Sequence, residues 1–471
     1  MNREFAGNAV LVVVLNLLVK SFYLFGIDRT VQNVLPPEVY GLYFTLFNFA
    51  FLFQVIADFG LQNFNLRNVS RHRQLLEKYF PYLLSLKIAL GLAFVTITLL
   101  VGYWWGFEQH VTPTHLLLGG IALNQVLQTG IVFLRTNLAG LGFYRLDSWF
   151  SVLDKALLVI IGSLLLWGGF QYSFTVWWLI GMHTVAYLIT LLALLWQLKP
   201  HFPNGLRLRW QPALQLSLLK QSAPFAWVLV LMTAYTRMDA IMIEKLAPLG
   251  AEEAGYYAAA YRLLDASNLA GFLLAGLLLP MFSRLLKEGE SIIPLTRLGI
   301  STIGAGAISL SISVWMFAEP IMTLLYKHTS EDSATMLQWL MLTFIPVGGG
   351  YVYGSLLVAN DNLRSLNRVF ALGLLVNLCL NIWWIPEHGA AGAAKATFIT
   401  QLLVFVAQYR LAVHLLQLPS HAGLWWRMVA LAAWVAGCAW GLQPWDIGWF
   451  VKFMLCISVG VGGAFALGLL M

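Results

Sequence analysis

Charge is scarce in this chain: Lys, Arg, Asp and Glu make up 10% of its 471 residues. A soluble domain carries roughly a quarter, so a fold surrounded mainly by water is excluded. Cysteine is scarcer still. Cys379, Cys438 and Cys456 sit in apolar runs without close spacing, which excludes a disulfide framework and a thiolate zinc site. No Walker loop, no H-E-x-x-H and no G-x-S-x-G in a strand–helix setting occurs. The nine His include no i,i+4 pair, and Glu252-Glu253 are adjacent, so they diverge on a helix and lack a partner carboxylate. Catalysis is therefore not expected, and no cofactor or metal is implied. No polar stretch reaches the ~50 residues of a small domain, so no extramembrane domain is expected.

What the chain has is apolar length. It is 59% hydrophobic, with a mean hydropathy of +0.75. Because a bilayer crossing takes ~20 mainly apolar residues, about fourteen crossings are expected, from Ala6–Ile27 to Trp449–Leu470. The first follows Arg3 with no A-x-A-like site, so it is expected to be a retained helix. Aromatic doublets such as Trp104-Trp105, Trp177-Trp178 and Trp383-Trp384 fall near segment ends, where amphipathic rings favour the interface. The net charge of +7 is then read as loop asymmetry rather than nucleic-acid binding. Arg67, Arg71, Arg73 and Lys78 lie on one set of loops with Arg135, Arg145, Lys155, Lys199, Arg207, Arg209, Lys220, Arg284, Lys287, Arg297, Arg364 and Arg368. The other set is mostly acidic, so both termini are expected in the cytoplasm.

The longest loop, Gln197 to Ser222, carries Pro200, Pro203, Gly205 and Pro212 and falls after the sixth crossing. It divides the chain into an N-terminal six-helix lobe (1–197), a linker (198–222), a C-terminal six-helix lobe (223–416) and two additional helices (417–471). The halves resemble each other. GIDRTVQNVLPPEVYGLY of the first parallels RMDAIMIEKLAPLGAEEAGYY of the second, matching Asp28 with Asp239. Six crossings per half give both copies one orientation, a parallel pseudo-repeat used by rocker-switch transporters.

Some charges fall inside the apolar segments. A charge in the hydrocarbon core costs at least ~2.5–3.5 kcal/mol, so such groups pair or face an aqueous cavity. Arg262 and Asp265 are i,i+3 and can neutralise one another on one helix face. Asp239 can pair with Arg262, while Arg237 faces elsewhere. Lys87 and Asp58 are close enough to segment ends to snorkel. Lys20 lies deep in the first segment with no acid at i±3 or i±4. An unpaired cation there suits an anionic ligand, and Lys and Arg both bind phosphate. Lys20, Arg237 and Arg262 form the candidate anion-contacting set. Asp239 and Asp265 are the candidates for ion coupling or charge pairing.

Three stretches carry a resemblance: YGLYFTLFNFAFLFQVIADFGL (Tyr40–Leu61), RMDAIMIEKL with AGYYAAAYRLLDA (Arg237–Ala266), and LNIWWIPEHGAAGAAKATFITQ (Leu380–Gln401). With the crossing pattern, the chain resembles the oligosaccharide-lipid (polysaccharide) flippases of the multidrug/oligosaccharidyl-lipid/polysaccharide (MOP) exporter superfamily. The resemblance implies an all-α, MATE-like fold of two six-helix lobes around a cavity, in a bacterial inner membrane. It implies alternating-access transfer of undecaprenyl-pyrophosphate-linked oligosaccharide to the periplasmic leaflet, for O-antigen, capsule or exopolysaccharide. It further implies basic cavity residues on the pyrophosphate, a role carried onto Lys20, Arg237 and Arg262. Proton or sodium coupling, and a polysaccharide polymerase and chain-length regulator as partners, belong to the same expectation. The rivals are a cation antiporter of the same superfamily, which needs an acid in the first crossing, and a cell-wall lipid-precursor flippase. A polymerase would carry a large polar periplasmic loop, which is lacking here.

Overall fold

The computed structural model describes residues 16, 18–62, 74–107, 113–170, 173–201, 208–419 and 422–470, and all regular structure among them is helical. Half of the first apolar segment, the basic residues Arg67, Arg71 and Arg73, and Arg207 of the linker lie outside the described residues. The chain forms two compact units, Met1–Ile241 and Met242–Met471.

In the first unit, a helical stretch (18–22) runs into a π-helix, Tyr23–Asp28, and then α1 (Arg29–Val34). A π-turn is rare and tends to mark functional positions in helices. It brings Ile27 so close to α5 (Tyr144–Trp167) that a Cβ on Gly162 would lie 2.6 Å from Ile27 Cγ2. Only glycine allows that approach. Pro36 and Pro37 then reset the chain: proline disfavours helix in the residue before it but fits the first helical position, and α2 runs Pro37–Asp58. It ends at Phe59, whose φ of 47° is left-handed. α3 (Gln74–Trp105), α4 (Thr114–Gly140) and α6 (Val176–Leu198) complete the unit with α5 and most of α7 (Pro212–Leu246).

The second unit comprises α8 (Ala251–Glu288), α9 (Ile293–Met316), the short α10 (Ala318–Leu325), α11 (Ser333–Ala359), α12 (Leu363–Leu416), α13 (Ala422–Gly441) and α14 (Trp449–Ala466). α9 presents buried small residues, including Ser301, Ala305, Ala307, Ser309 and Ser311. Without a hydrophobic drive between helices in lipid, such residues let backbones approach and exchange hydrogen bonds. Ser311 Oγ donates across to the Met341 carbonyl of α11 at 2.6 Å.

Among the described residues, ten helices are long and apolar enough to cross a membrane. One of them makes two crossings. At 54 residues, α12 would be ~80 Å long if straight, against ~30 Å of hydrocarbon. It breaks at Gly389 (φ 53°, ψ −144°), just after Pro386. A Cβ on Gly373 would lie 2.6 Å from Val404, and one on Gly392 would meet the Trp384 carbonyl. Both pairs are centred on residues 388–389, so the chain doubles back there as an antiparallel hairpin. α13 falls short of that apolar standard because four Trp and Arg427 occupy its twenty residues. The long helices expose large apolar side chains, for example Leu92 at 65% and Ile382 at 61%. Such an array suits lipid, not water.

Candidate functional site

In the first unit, charge gathers where the first segment, α5 and α6 meet. Lys20 is half-buried and, among the described residues, makes no hydrogen bond or ion pair. The charges acting on it are Asp154, which attracts it, and Lys155 and Arg135, which repel it. Lys155 Nζ lies 3.6 Å from Asp154 Oδ2 and donates to the Tyr187 hydroxyl at 3.4 Å. It also sits 5.1 Å from the Tyr23 ring centre and 5.5 Å from that of Tyr187, where the ring faces attract a cation. Tyr23 is linked in turn to His183, Oη to Nε2, at 3.0 Å. His183 Nδ1 lies 2.8 Å from the Leu179 carbonyl. A carbonyl only accepts, so Nδ1 carries the hydrogen, and in the neutral ring Nε2 accepts from Tyr23.

Helical spacing explains the assembly. Ser148, Ser151 and Lys155 stand at i, i+3 and i+7, on one face of α5. That face meets the first segment, since Asn16 Nδ2 donates to Ser151 Oγ at 3.1 Å. Arg135 is neutralised by Asp147 at 2.8 Å. Two lysines then face one carboxylate, Asp154, which leaves one positive charge in excess.

Arg237, on α7, is half-buried in the same unit. Its Nη1 donates to Asn48 Oδ1 at 3.5 Å, and its guanidinium lies 5.2 Å from the Phe51 ring centre, both on α2. Thr45 Oγ1, also on α2, donates to the Ala240 carbonyl at 3.2 Å, which fixes α7 against α2. Asp239 is 2% exposed. In the second unit, Arg262 Nη1 and Asp265 Oδ2 form the i,i+3 pair at 3.4 Å, both half-buried. Of the five residues singled out by sequence, Arg262 and Asp265 are thus in direct contact.

Residues 10–286, more than half the chain, match the family model described as polysaccharide biosynthesis protein. The chain belongs to this family. Over 128 residues it is 25% identical to the lipid III flippases of Escherichia coli (strain K12) and Shigella flexneri. That stretch is 27% of this chain, which spans only 30% of the length of these curated relatives. Among solved structures, it is similar to the lipid II flippase MurJ in an inward closed conformation, with a TM-score of 0.70 over 99% of this chain and 98% of that one, at 13% identity. An inward-facing multidrug resistance MATE family transporter of the MOP superfamily gives 0.66 over 86% and 98%, at 10% identity. A MOP superfamily transporter from Pyrococcus furiosus gives 0.60 over 86% and 94%, at 12% identity. At these identities the likeness is one of fold, and the fold is MATE-like.

Two expectations need correction. Lys87 and Asp58 do not snorkel: they form a buried ion pair at 3.0 Å, with side chains 7% and 9% exposed. Lys87 lies thirteen residues into α3, ~20 Å along it, too far for its stem to reach the end. Lys155, assigned to a basic loop junction, lies eleven residues into α5, ~16 Å from its start. Counting from the helix start would have exposed it, together with Asp154. Glu252 and Glu253 accept hydrogen bonds from groups that are not carboxylates. Tyr256 Oη donates to Glu252 at 2.7 Å, and Ala390 N–H to Glu253 Oε2 at 2.7 Å.

Proposed function

We propose that this chain is a lipid-linked glycan flippase, carrying undecaprenyl-pyrophosphate-linked oligosaccharide from the cytoplasmic to the periplasmic leaflet by alternating access. The observation that carries this reading is Lys20, a half-buried cation without a described partner, in a cluster holding one more cation than anion. A pyrophosphate headgroup cannot cross hydrocarbon, but cations on a polar path replace the hydration it loses. Lys20, Arg237 and Arg262 are the residues proposed to take turns on it, with affinity low enough to permit release. The two curated relatives it matches are lipid III flippases, which supports this role.

The remaining expectations join this proposal: lobes at 1–197 and 223–416 with helices at 417–471 added, termini in the cytoplasm, and coupling to protons or sodium through Asp239 or Asp265. Operation beside a polysaccharide polymerase and chain-length regulator completes it. The antiporter reading is favoured by one observation, the buried Asp28 of the first segment. That carboxylate already accepts from Gln32 Nε2 at 3.0 Å and from Tyr40 Oη at 3.1 Å, so it is less suited to a cationic drug. The test is a strain lacking the protein. Undecaprenyl-linked oligosaccharide accumulating on the cytoplasmic side, and cleared when the protein is restored, supports the flippase. No accumulation, together with new sensitivity to cationic drugs, supports the antiporter.

A further inference from the structure

At one end of the second unit, the first turns of α9 and α13 meet the last turn of α14 around a pocket of about 660 Å³. Its cations are Arg297 and Arg427, and no lining residue is acidic. Arg427 is half-buried and held in place, because its Nη1 donates to the Gly468 carbonyl at 3.4 Å. Arg297 is exposed. Ser301 adds a buried hydroxyl, while Ile293, Leu298 and Leu467 supply apolar wall. Three ends of apolar helices around one pocket fit a membrane interface. The Trp425-Trp426 doublet beside Arg427 fits that depth, since Trp rings favour the headgroup region. Below the arginines, Val429 and Phe465 are 58% and 57% exposed, which gives acyl chains a surface to follow.

We propose that this pocket binds the phosphodiester headgroup of an anionic phospholipid, with Arg297 and Arg427 on the phosphate and the acyl chains lying against α13 and α14. Charge complementarity decides the occupant: two guanidiniums without a counter-ion in a niche open to the interface suit a fixed phosphate. The volume is that of a small-molecule site. The bound lipid would tie the α13–α14 pair to α9. This site is independent of the flippase reading.

The test uses the full chain in nanodiscs of phosphatidylcholine, with or without phosphatidylglycerol, followed by native mass spectrometry of retained lipid and by thermal unfolding. The account predicts retained phosphatidylglycerol and a raised melting temperature. R297Q with R427Q should weaken retention about thirtyfold, one charge contact per arginine, and remove the rise. R297Q alone should weaken it less, and R297K should keep most of it. Because R427Q also loses the Gly468 bond, R297Q decides the matter if the double variant fails to fold. Retention unchanged in R297Q overturns the proposal, as does equal retention of phosphatidylcholine. The same rise produced by inorganic phosphate would make the source a free anion, and preferential retention of undecaprenyl pyrophosphate would assign the pocket to substrate. Either outcome overturns the phospholipid assignment.

Discussion

The Glu253 carboxylate accepts the Ala390 N–H at 2.7 Å, at the point where α12 reverses direction. One carboxylate of the acidic pair thereby holds the turn that follows Gly389. Gly389 sits at φ 53°, ψ −144°, a region essentially reserved for glycine. A Cβ there would also run into Glu253 itself. G389A should therefore destabilise the second unit by ~1–3 kcal/mol through backbone strain alone, with the clash adding to it. E253A, which leaves a backbone N–H unpaired, should cost ~1–3 kcal/mol. Thermal unfolding in detergent reads both, and wild-type stability in G389A would refute the hairpin geometry.

The Lys87–Asp58 pair makes a sharper stability prediction. Both charges are buried, so removing one strands the other, a loss of ~3–5 kcal/mol for a buried pair. K87M alone should fall in that range. K87M with D58N should recover most of it, because neither charge then remains. A double variant no more stable than K87M would show that the pair is not the relevant interaction.

Lys20 and Lys155 should separate function from structure. Lys155 is bound by Asp154, Tyr187 and two aromatic faces, so K155A should lower protein abundance. Lys20 makes no described bond, so K20A should leave abundance unchanged and impair glycan export. Immunoblotting beside glycan quantification distinguishes them. Equal loss of abundance in both would assign Lys20 a structural role.

Arg237 offers a test of charge against shape. Its guanidinium meets Asn48 and the Phe51 ring face, an arrangement that a planar fork fills and an ammonium fills less well. R237K should keep part of glycan export and R237A should lose it, at similar abundance. Full export in R237A would remove it from the proposed set.

Much of the fold was legible because the bilayer imposes a simple code. Length and apolarity alone marked the crossings, and even the α12 hairpin lies where two segments, Asn367–Ile385 and Ala391–Leu411, were expected. The site was less legible because partners come from distant segments. Arg262 and Asp265 could be paired on paper at i,i+3. Lys87 with Asp58, 29 residues away, and Glu253 with Ala390, 137 away, could not. Asp154 and Lys155 were overlooked for another reason: a cation near a basic cluster reads as a loop charge unless its depth along the helix is counted.

The central claim is that this chain moves a pyrophosphate-linked glycan across a bilayer on its buried cations. The most direct measurement uses purified protein in liposomes loaded on one leaflet with undecaprenyl-pyrophosphate-linked oligosaccharide, following its appearance on the other leaflet with a glycan-specific, membrane-impermeant probe. The account predicts protein-dependent transfer that K20A abolishes while the variant remains folded. Transfer no faster than in empty liposomes under an imposed proton or sodium gradient, or undiminished transfer by K20A, would contradict it.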